Sequence, residues 1–209
     1  MKLYSWGAAP NPRRVLIYMA EKGIEIPVVE VGEGAHLTND FLARYDGRIV
    51  PMLELDDGTQ IGEAMAICRF LEEAYPAPPL FGVNRLDRAR VDMWERRAEN
   101  EGFNGVAEVF RNATPAFAGR GLPGFEEPIE QIPDLVERGK KRLARFYGRI
   151  ERQLADNRFI AGPRFSVADI TALCIVDFAT KGAKVGLPED HTNTRRWHAE
   201  VSARPSIAG

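Results

Sequence analysis

The stretch from Ile49 to Glu72, IVPMLELDDGTQIGEAMAICRFLE, constrains the fold more than any other part of the chain. It joins a Val-Pro step, a strand, an Asp-Asp-Gly turn, a second strand and an amphipathic helix. Met52–Leu55 and Thr59–Ile61 read as the strands, with Asp57-Gly58 reversing the chain between them. Beyond them Ala64, Ile67, Cys68 and Leu71 recur on one helical face. An X-Pro bond ahead of a strand takes the cis form at modest cost and turns the preceding residue's N–H and C=O away from the sheet. Val50 is thereby a candidate edge for docking an extended peptide. The helix start at Gly62-Glu63-Ala64 is a candidate seat for a carboxylate.

The rest of the first half alternates strand-like and helix-like segments, the mark of an α/β unit. Lys2–Trp6 reads as a strand. Pro12 sits where a first helical turn tolerates proline, Val15, Leu16, Met19 and Ala20 repeat at helical spacing, and Gly23 stops the helix. Pro27–Val31 reads as a second strand, and a short helix is predicted around Thr38–Tyr45. Pro76-Ala77-Pro78-Pro79 ends this half. The boundaries drawn are 1–77 for an α/β domain, 78–86 for a linker and 87–209 for an all-α domain. Within the latter, Asp87–Arg111 carries Val91, Trp94, Ala98, Val106 and Phe110, and a Gly/Pro-rich loop covers Thr114–Pro133. Leu135, Leu143, Phe146, Tyr147, Ile150 and Leu154 mark a long amphipathic helix. Ser166 and Asp169 have the spacing of a capping box ahead of Ile170, Leu173, Cys174 and Phe178, and a last helix is predicted near Asn193–Ala203.

With 209 residues the chain can build two modest cores, and its net charge of −2 gives no global pull toward nucleic acid or an anionic membrane. No apolar run is long enough to span a bilayer, and Met1 leads directly into strand-like residues, so the expected setting is cytoplasmic. Cys68 and Cys174 lie among helical apolar neighbours outside any C-x-x-C, which predicts two packed thiols. His36, His191 and His198 show no metal-ligand spacing, and the expectation is that no metal is bound.

An α/β unit of this order followed by an all-helical half resembles the cytosolic glutathione transferases. Three spaced motifs carry the resemblance: APNPRRV at the first helix, VPMLELDDGTQIGEAMAICRFLE, and FSVADITAL in the second half. It implies a thioredoxin-like N-terminal domain that binds glutathione, a cis proline at Pro51, an all-helical C-terminal domain and a homodimer. The ligand's chemistry agrees. Glutathione is a γ-linked tripeptide with two carboxylates and one amine, suited to a strand edge beside an anion site. Val50 would exchange backbone hydrogen bonds with the cysteinyl unit, the N–H groups at Glu63 and Ala64 would meet the γ-glutamyl carboxylate, and the Glu63 side chain would face the ammonium. The competing reading of Glu63 is a plain helix cap. His36 matches a position where relatives carry a His that reaches the glycyl carboxylate.

Two departures from the family pattern bear on affinity and catalysis. Ala64 stands where a Ser hydroxyl usually meets the ligand carboxylate, a charge-assisted bond worth about 1.5–3 kcal/mol. Ala9 stands where relatives place a Ser or Thr at the glutathione sulfur. Lowering a thiol pKa of about 8.5 by two units takes about 2.7 kcal/mol, and a helix N-terminus supplies at most about 2. A side-chain donor is needed, and Asn11 is the first choice, because similar bacterial members with Thr-Pro-Asn use that Asn. The competing reading of Asn11 is a helix N-cap before Pro12. Ser5 and Trp6 are held in reserve, with Tyr4 behind them.

Other patterns are decoys. Gly32-Glu33-Gly34 lacks the third glycine of a dinucleotide fingerprint. Lys140-Lys141-Arg142 and Arg145 interleave with Leu143, Phe146, Tyr147 and Ile150, so the charge reads as a solvated helix face. The functional expectation is an enzyme that conjugates the glutathione thiol to a small, apolar electrophile held by the helical half. The alternatives are a non-catalytic ligand- or partner-binding protein of the same fold, motivated by Ala9 and Ala64, and a glutathione-dependent disulfide reductase or peroxidase. Phe103, Phe110, Phe117 and Phe125 bracket a candidate electrophile region, with core packing an equal reading of them, and Arg111 and Arg120 would suit an acidic substrate, their default reading being plain surface placement.

Overall fold

The computed structural model describes residues 1–7, 9–32, 41, 45 and 49–208. Their contacts divide into two compact units, Met1–Pro78 with Leu122–Glu127, and Pro79–Gly121 with Pro128–Gly209. The first is thioredoxin-like and the second all-helical.

In the first unit β1 (Lys2–Ser5), α1 (Pro10–Lys22), β2 (Val28–Glu30), β3 (Met52–Glu54), β4 (Gln60–Ile61) and α2 (Ala64–Ala74) follow in order. The sheet runs β2-β1-β3-β4, with β1 parallel to β2 and antiparallel to β3. Gly23 ends α1 in the left-handed conformation at φ 63°, which glycine adopts without steric cost. Ala64, Ile67, Cys68 and Leu71 are the buried face of α2, as their spacing predicts. Lys22, whose side chain has no exposed surface, ties the two helices together. Its Nζ lies 2.7 Å from Glu72 and donates to the carbonyls of Tyr75 and Pro78, while the Tyr18 hydroxyl reaches the same Glu72 at 2.5 Å. Side chains alternate across the sheet, so Tyr4 and Met52 face away from Leu3 and Leu53 and pack with Phe41 and Val50. The short helix predicted around Thr38–Tyr45 falls largely outside the described residues.

The second unit contains α3 (Arg85–Arg97), a π-helical turn (Ala98–Phe103), α4 (Asn104–Ala113), a 3₁₀ turn (Pro115–Phe117), α5 (Asp134–Asp156), α6 (Val167–Lys181), α7 (Thr192–Ser202) and α8 (Pro205–Ala208). Helix α3 begins before Asp87, because the Asn84 side chain accepts from the Asp87 N–H while the Asp87 carboxylate accepts from Val83 N–H. The helical run of the sequence reading is interrupted by the π turn, where Gly102 sits against Phe146 and Ile175. Helices α4 and α5 approach backbone to backbone: a Cβ on Gly139 would lie 2.6 Å from the Gly105 carbonyl oxygen. The basic face of α5 is more than solvated. Arg138 and Arg142 pair with Glu108, and Arg145 and Arg149 with Glu101.

The Ser166–Asp169 box closes as predicted, and its carboxylate does more than cap. Asp169, fully buried, accepts from the N–H groups of Ile160 and Ser166, the Ser166 hydroxyl and Trp197 Nε1, all at 2.9–3.0 Å. Burial outweighs these donors and pushes the carboxyl up to about 6. Between about pH 4 and 6 the folded protein therefore holds a proton that the unfolded chain has released. The stability linked to Asp169 is complete below pH 4 and lost as pH rises through 6, a change of at most about 3 kcal/mol. In urea titrations across this window, the stability gap between wild type and Asp169→Asn should narrow as pH rises. Parallel pH profiles would contradict this assignment.

Candidate active site

Strand register gathers the candidate residues. Tyr4 lies opposite Met52 and Leu53 opposite Ile61. Continuing both registers puts Ser5 and Trp6 across from Pro51 and Val50, and Pro51 across from Glu63. The exit from β1 into α1, the Val50-Pro51 step and the start of α2 thus share one end of the sheet.

At that end several polar groups have no partner among the described residues. The Val50–Pro51 bond is cis, Val50 is buried at 9% exposure, and among the described residues its backbone takes no hydrogen-bond partner. Such a buried, unpaired backbone is rare unless a ligand completes it. Glu63 holds the N-cap position of α2 at φ 62° and ψ 120°, a strained conformation for a residue with a side chain. Its carboxylate makes no capping bond, which removes the plain-cap reading. The first α2 bond is Ile67 N–H to the Glu63 carbonyl, so the N–H groups of Ala64, Met65 and Ala66 have no acceptor among the described residues. Gly62 is pinned from outside, since a Cβ there would lie 2.0 Å from the Tyr45 hydroxyl oxygen.

The start of α1 is poor in backbone donors. Ala9 is the N-cap, with Pro10 and Pro12 at the first and third helical positions, and the Ala9 N–H is committed to the Trp6 carbonyl. Arg13 N–H closes onto the Ala9 carbonyl. Of the turn's three leading residues, Asn11 alone therefore carries an N–H, because proline has none. Its side chain is oriented too. Arg14, 2% exposed, donates from Nη1 to Asn11 Oδ1 at 2.9 Å. Guanidinium cannot accept, so this contact turns the amide NH₂ the other way.

A family model for the glutathione S-transferase N-terminal domain matches residues 3–79, and one for the glutathione S-transferase C-terminal domain matches 133–200. Glutathione S-transferase 2 of Saccharomyces cerevisiae is 32% identical over 211 residues, covering 99% of this chain and 88% of that protein. A glutathione S-transferase domain-containing protein from Marinobacter aquaeolei VT8 superposes with a TM-score of 0.88 at 39% identity, covering 99% of this chain and all of that one. Gtt2 from S. cerevisiae gives 0.89 at 31% identity, covering 100% and 99%. The chain belongs to the glutathione S-transferase family.

Within this transferase the candidates fare differently. The N-cap reading of Asn11 is corrected: Pro10 occupies the first helical position, leaving Ala9 as a cap without a capping side chain. The register gathers Val50, Glu63 and Ala64 at one sheet end, with Ala64 buried at 3% exposure in the first turn of α2. His36 lies outside the described residues. Tyr4 is engaged, its hydroxyl donating to Glu54 at 3.1 Å, and Trp6 packs against the Tyr4 cluster. Ser5 is fully buried, and its hydroxyl has no hydrogen-bond partner among the described residues. Sequence reading missed Arg14, although its i, i+3 spacing from Asn11 was a usable signal. Among the described residues no group of His, Cys, Asp and Glu is placed to hold a metal ion. A concavity of about 620 Å³ is lined by Leu16, Met19, Ile24, Ile26 and Val28 toward the far end of α1 and does not coincide with these groups.

Strain at Glu63 carries a measurable consequence. Glu63→Gly should raise stability by about 1 kcal/mol in chemical denaturation by relieving the positive φ, while weakening retention on immobilised glutathione. A variant less stable than wild type would remove the strain argument.

Proposed function

We propose that this transferase joins the thiol of glutathione to a small electrophile with a largely apolar body, with glutathione laid along Val50. The observation that carries this reading is the conjunction, at one end of the sheet, of a buried backbone at Val50 and the N–H groups opening α2, all without a partner among the described residues. The cysteinyl unit would complete Val50, the γ-glutamyl carboxylate would take the N–H groups at Glu63 and Ala64, and the Glu63 carboxylate would face the ammonium. His36 is proposed for the glycyl carboxylate. The domain division proposed is 1–77 for glutathione and 87–209 for the electrophile.

Asn11 is proposed as the sulfur's donor. Backbone N–H groups are scarce at the start of α1, so the dipole works there with one main-chain donor and the Asn11 amide that Arg14 turns outward. A homodimer is proposed on family grounds. Buried cysteines, Cys68 and Cys174, neither in a disulfide, suit a reducing compartment such as the cytoplasm. Among the described residues no helix is long and apolar enough to cross a membrane.

Ala9 and Ala64, neither of which offers a hydroxyl, favour a second reading, a binding protein of this fold without turnover. Titrating the ultraviolet thiolate absorbance of bound glutathione separates the two. A transferase should hold the thiol pKa at least a unit below its solution value, whereas a binder leaves it unchanged. Asn11→Ala should raise the bound thiol's pKa by about one unit and lower kcat/KM for an activated aryl halide about tenfold, with KM for glutathione little changed. An unaltered thiol pKa in that variant would remove Asn11 from catalysis.

A further inference from the structure

Two arginines in the helical unit lie side by side with no acid among the described residues to answer them. Arg111 is in the last turn of α4 and Arg120 lies in the following loop. Arg111 Nη1 donates to the Arg120 carbonyl at 2.9 Å, and Arg120 Nη2 donates to the Ala116 carbonyl at 2.6 Å. Both guanidinium groups stack on Phe117, their Cζ atoms 4.9 and 5.3 Å from the ring centroid. The loop is held in place by Gln131, whose Nε2 donates to the carbonyls of Arg111 and Thr114.

Several other arginines of this unit answer to carboxylates: Arg138 and Arg142 to Glu108, Arg145 and Arg149 to Glu101, Arg158 to Glu200. Arg111 and Arg120 have no carboxylate partner among the described residues. Burial first, and then the like charge of Arg120, draw the Arg111 pKa below the usual guanidinium value. Each guanidinium gives one of its five N–H donors to the protein, which leaves a fork able to grip a carboxylate. An apolar shelf adjoins them. Phe117 meets Phe110 edge to face at 5.0 Å, Phe110 meets Phe178 at 4.8 Å, and all three rings are half-buried.

We propose that Arg111 and Arg120 form the anion-binding end of a substrate site on the helical unit, which selects electrophiles carrying a carboxylate on an aromatic body that rests against Phe110 and Phe178. The substrate clause rests on the transferase reading above. The paired cations set the charge, and the phenylalanines set the shape. Neutral electrophiles of the same size lack the group that relieves the repulsion between the two guanidinium ions.

The test has a binding arm and a kinetic arm, both on the full-length protein. Calorimetric titration without glutathione compares naphthoate with naphthamide, the same body without the charge. Naphthoate should bind at least about tenfold more tightly, lose that advantage in Arg111→Gln and Arg120→Gln, keep part of it in Arg120→Lys, and weaken as salt is added. Turnover then compares chlorodinitrobenzoate with chlorodinitrobenzene. The acid should have the lower KM, and Arg120→Gln should raise it about tenfold without moving the KM of the neutral arene. Arg120 is exposed and gives up one loop contact, so its variants carry the test if Arg111→Gln fails to fold. Equal affinity for the two naphthalenes, or naphthoate binding that survives both glutamine variants, overturns the site. Arginine-dependent naphthoate binding with no turnover of either arene keeps the anion site and sinks the transferase reading. Turnover without charge preference keeps the transferase and overturns the site.

Discussion

The antiparallel register of β1, β3 and β4 governs everything else in the first unit. With Tyr4 opposite Met52 and Leu53 opposite Ile61, a slip of one residue would carry Tyr4 and Met52 to the helix face and expose Leu3 and Leu53 to the other. The packed side chains forbid that slip. Tyr4 and Phe41 meet edge to face at 5.9 Å within the cluster that also buries Val50 and Met52, while Leu3, Val15, Ile67 and Leu71 are fully buried. One set of apolar contacts therefore fixes both the sheet's pairing and the position of the Val50-Pro51 step relative to two helix starts.

Stability and ligand binding pull against each other at that end. Glu63 is held at a backbone conformation that costs of order 1–3 kcal/mol, and its side chain declines the capping role that would recover some of it. Helix α1 starts on Ala9, which has no capping oxygen, and spends two of its first three positions on proline. Each choice leaves a donor or a charge uncommitted. The clamp of Lys22 on Glu72, Tyr75 and Pro78 at the opposite end of α1 helps to hold these helices in place despite their weak starts.

Periodicity made most of the architecture legible in the sequence, because spacing reports which face is buried. Ala64, Ile67, Cys68 and Leu71 on α2, and Leu143, Phe146, Tyr147, Ile150 and Leu154 on α5, are buried as read. What sequence could not show arises where two local preferences compete. Asparagine favours the N-cap and proline the first helical position, and proline prevailed, which moved Asn11 inside α1 and into reach of Arg14. The positive φ of Glu63 has no signature in composition, since glutamate rarely adopts it. The π turn at Ala98–Phe103 follows from how Gly102 packs on Phe146 and Ile175, which are distant in sequence. Phe178 likewise joins Phe110 and Phe117 from another helix, whereas Phe125 is half exposed.

Among the described residues most buried polar side chains find partners, Ser5 Oγ and His191 Nδ1 being exceptions, and that gives the other unpartnered groups meaning. Asp169 accepts four hydrogen bonds, and Glu151 accepts four more from the backbone and side chains of Asn193 and Thr194 at the start of α7. Glu101 takes Arg149 in a two-bond fork at 2.9 Å. Where most of the interior is satisfied, a cluster of open donors at one place is a candidate for a ligand. Besides Ser5 Oγ and His191 Nδ1, the groups left open among the described residues include two sets: the Val50 backbone, the α2 N–H groups and the Asn11 amide in the first unit, and the Arg111–Arg120 pair in the second. The first group has the hydrogen-bonding complement of a peptide with a carboxylate and a thiol, and the second that of a lone anion beside an aromatic ring. The first suits the thiol donor of a conjugating enzyme, and the second the charged electrophile proposed for it.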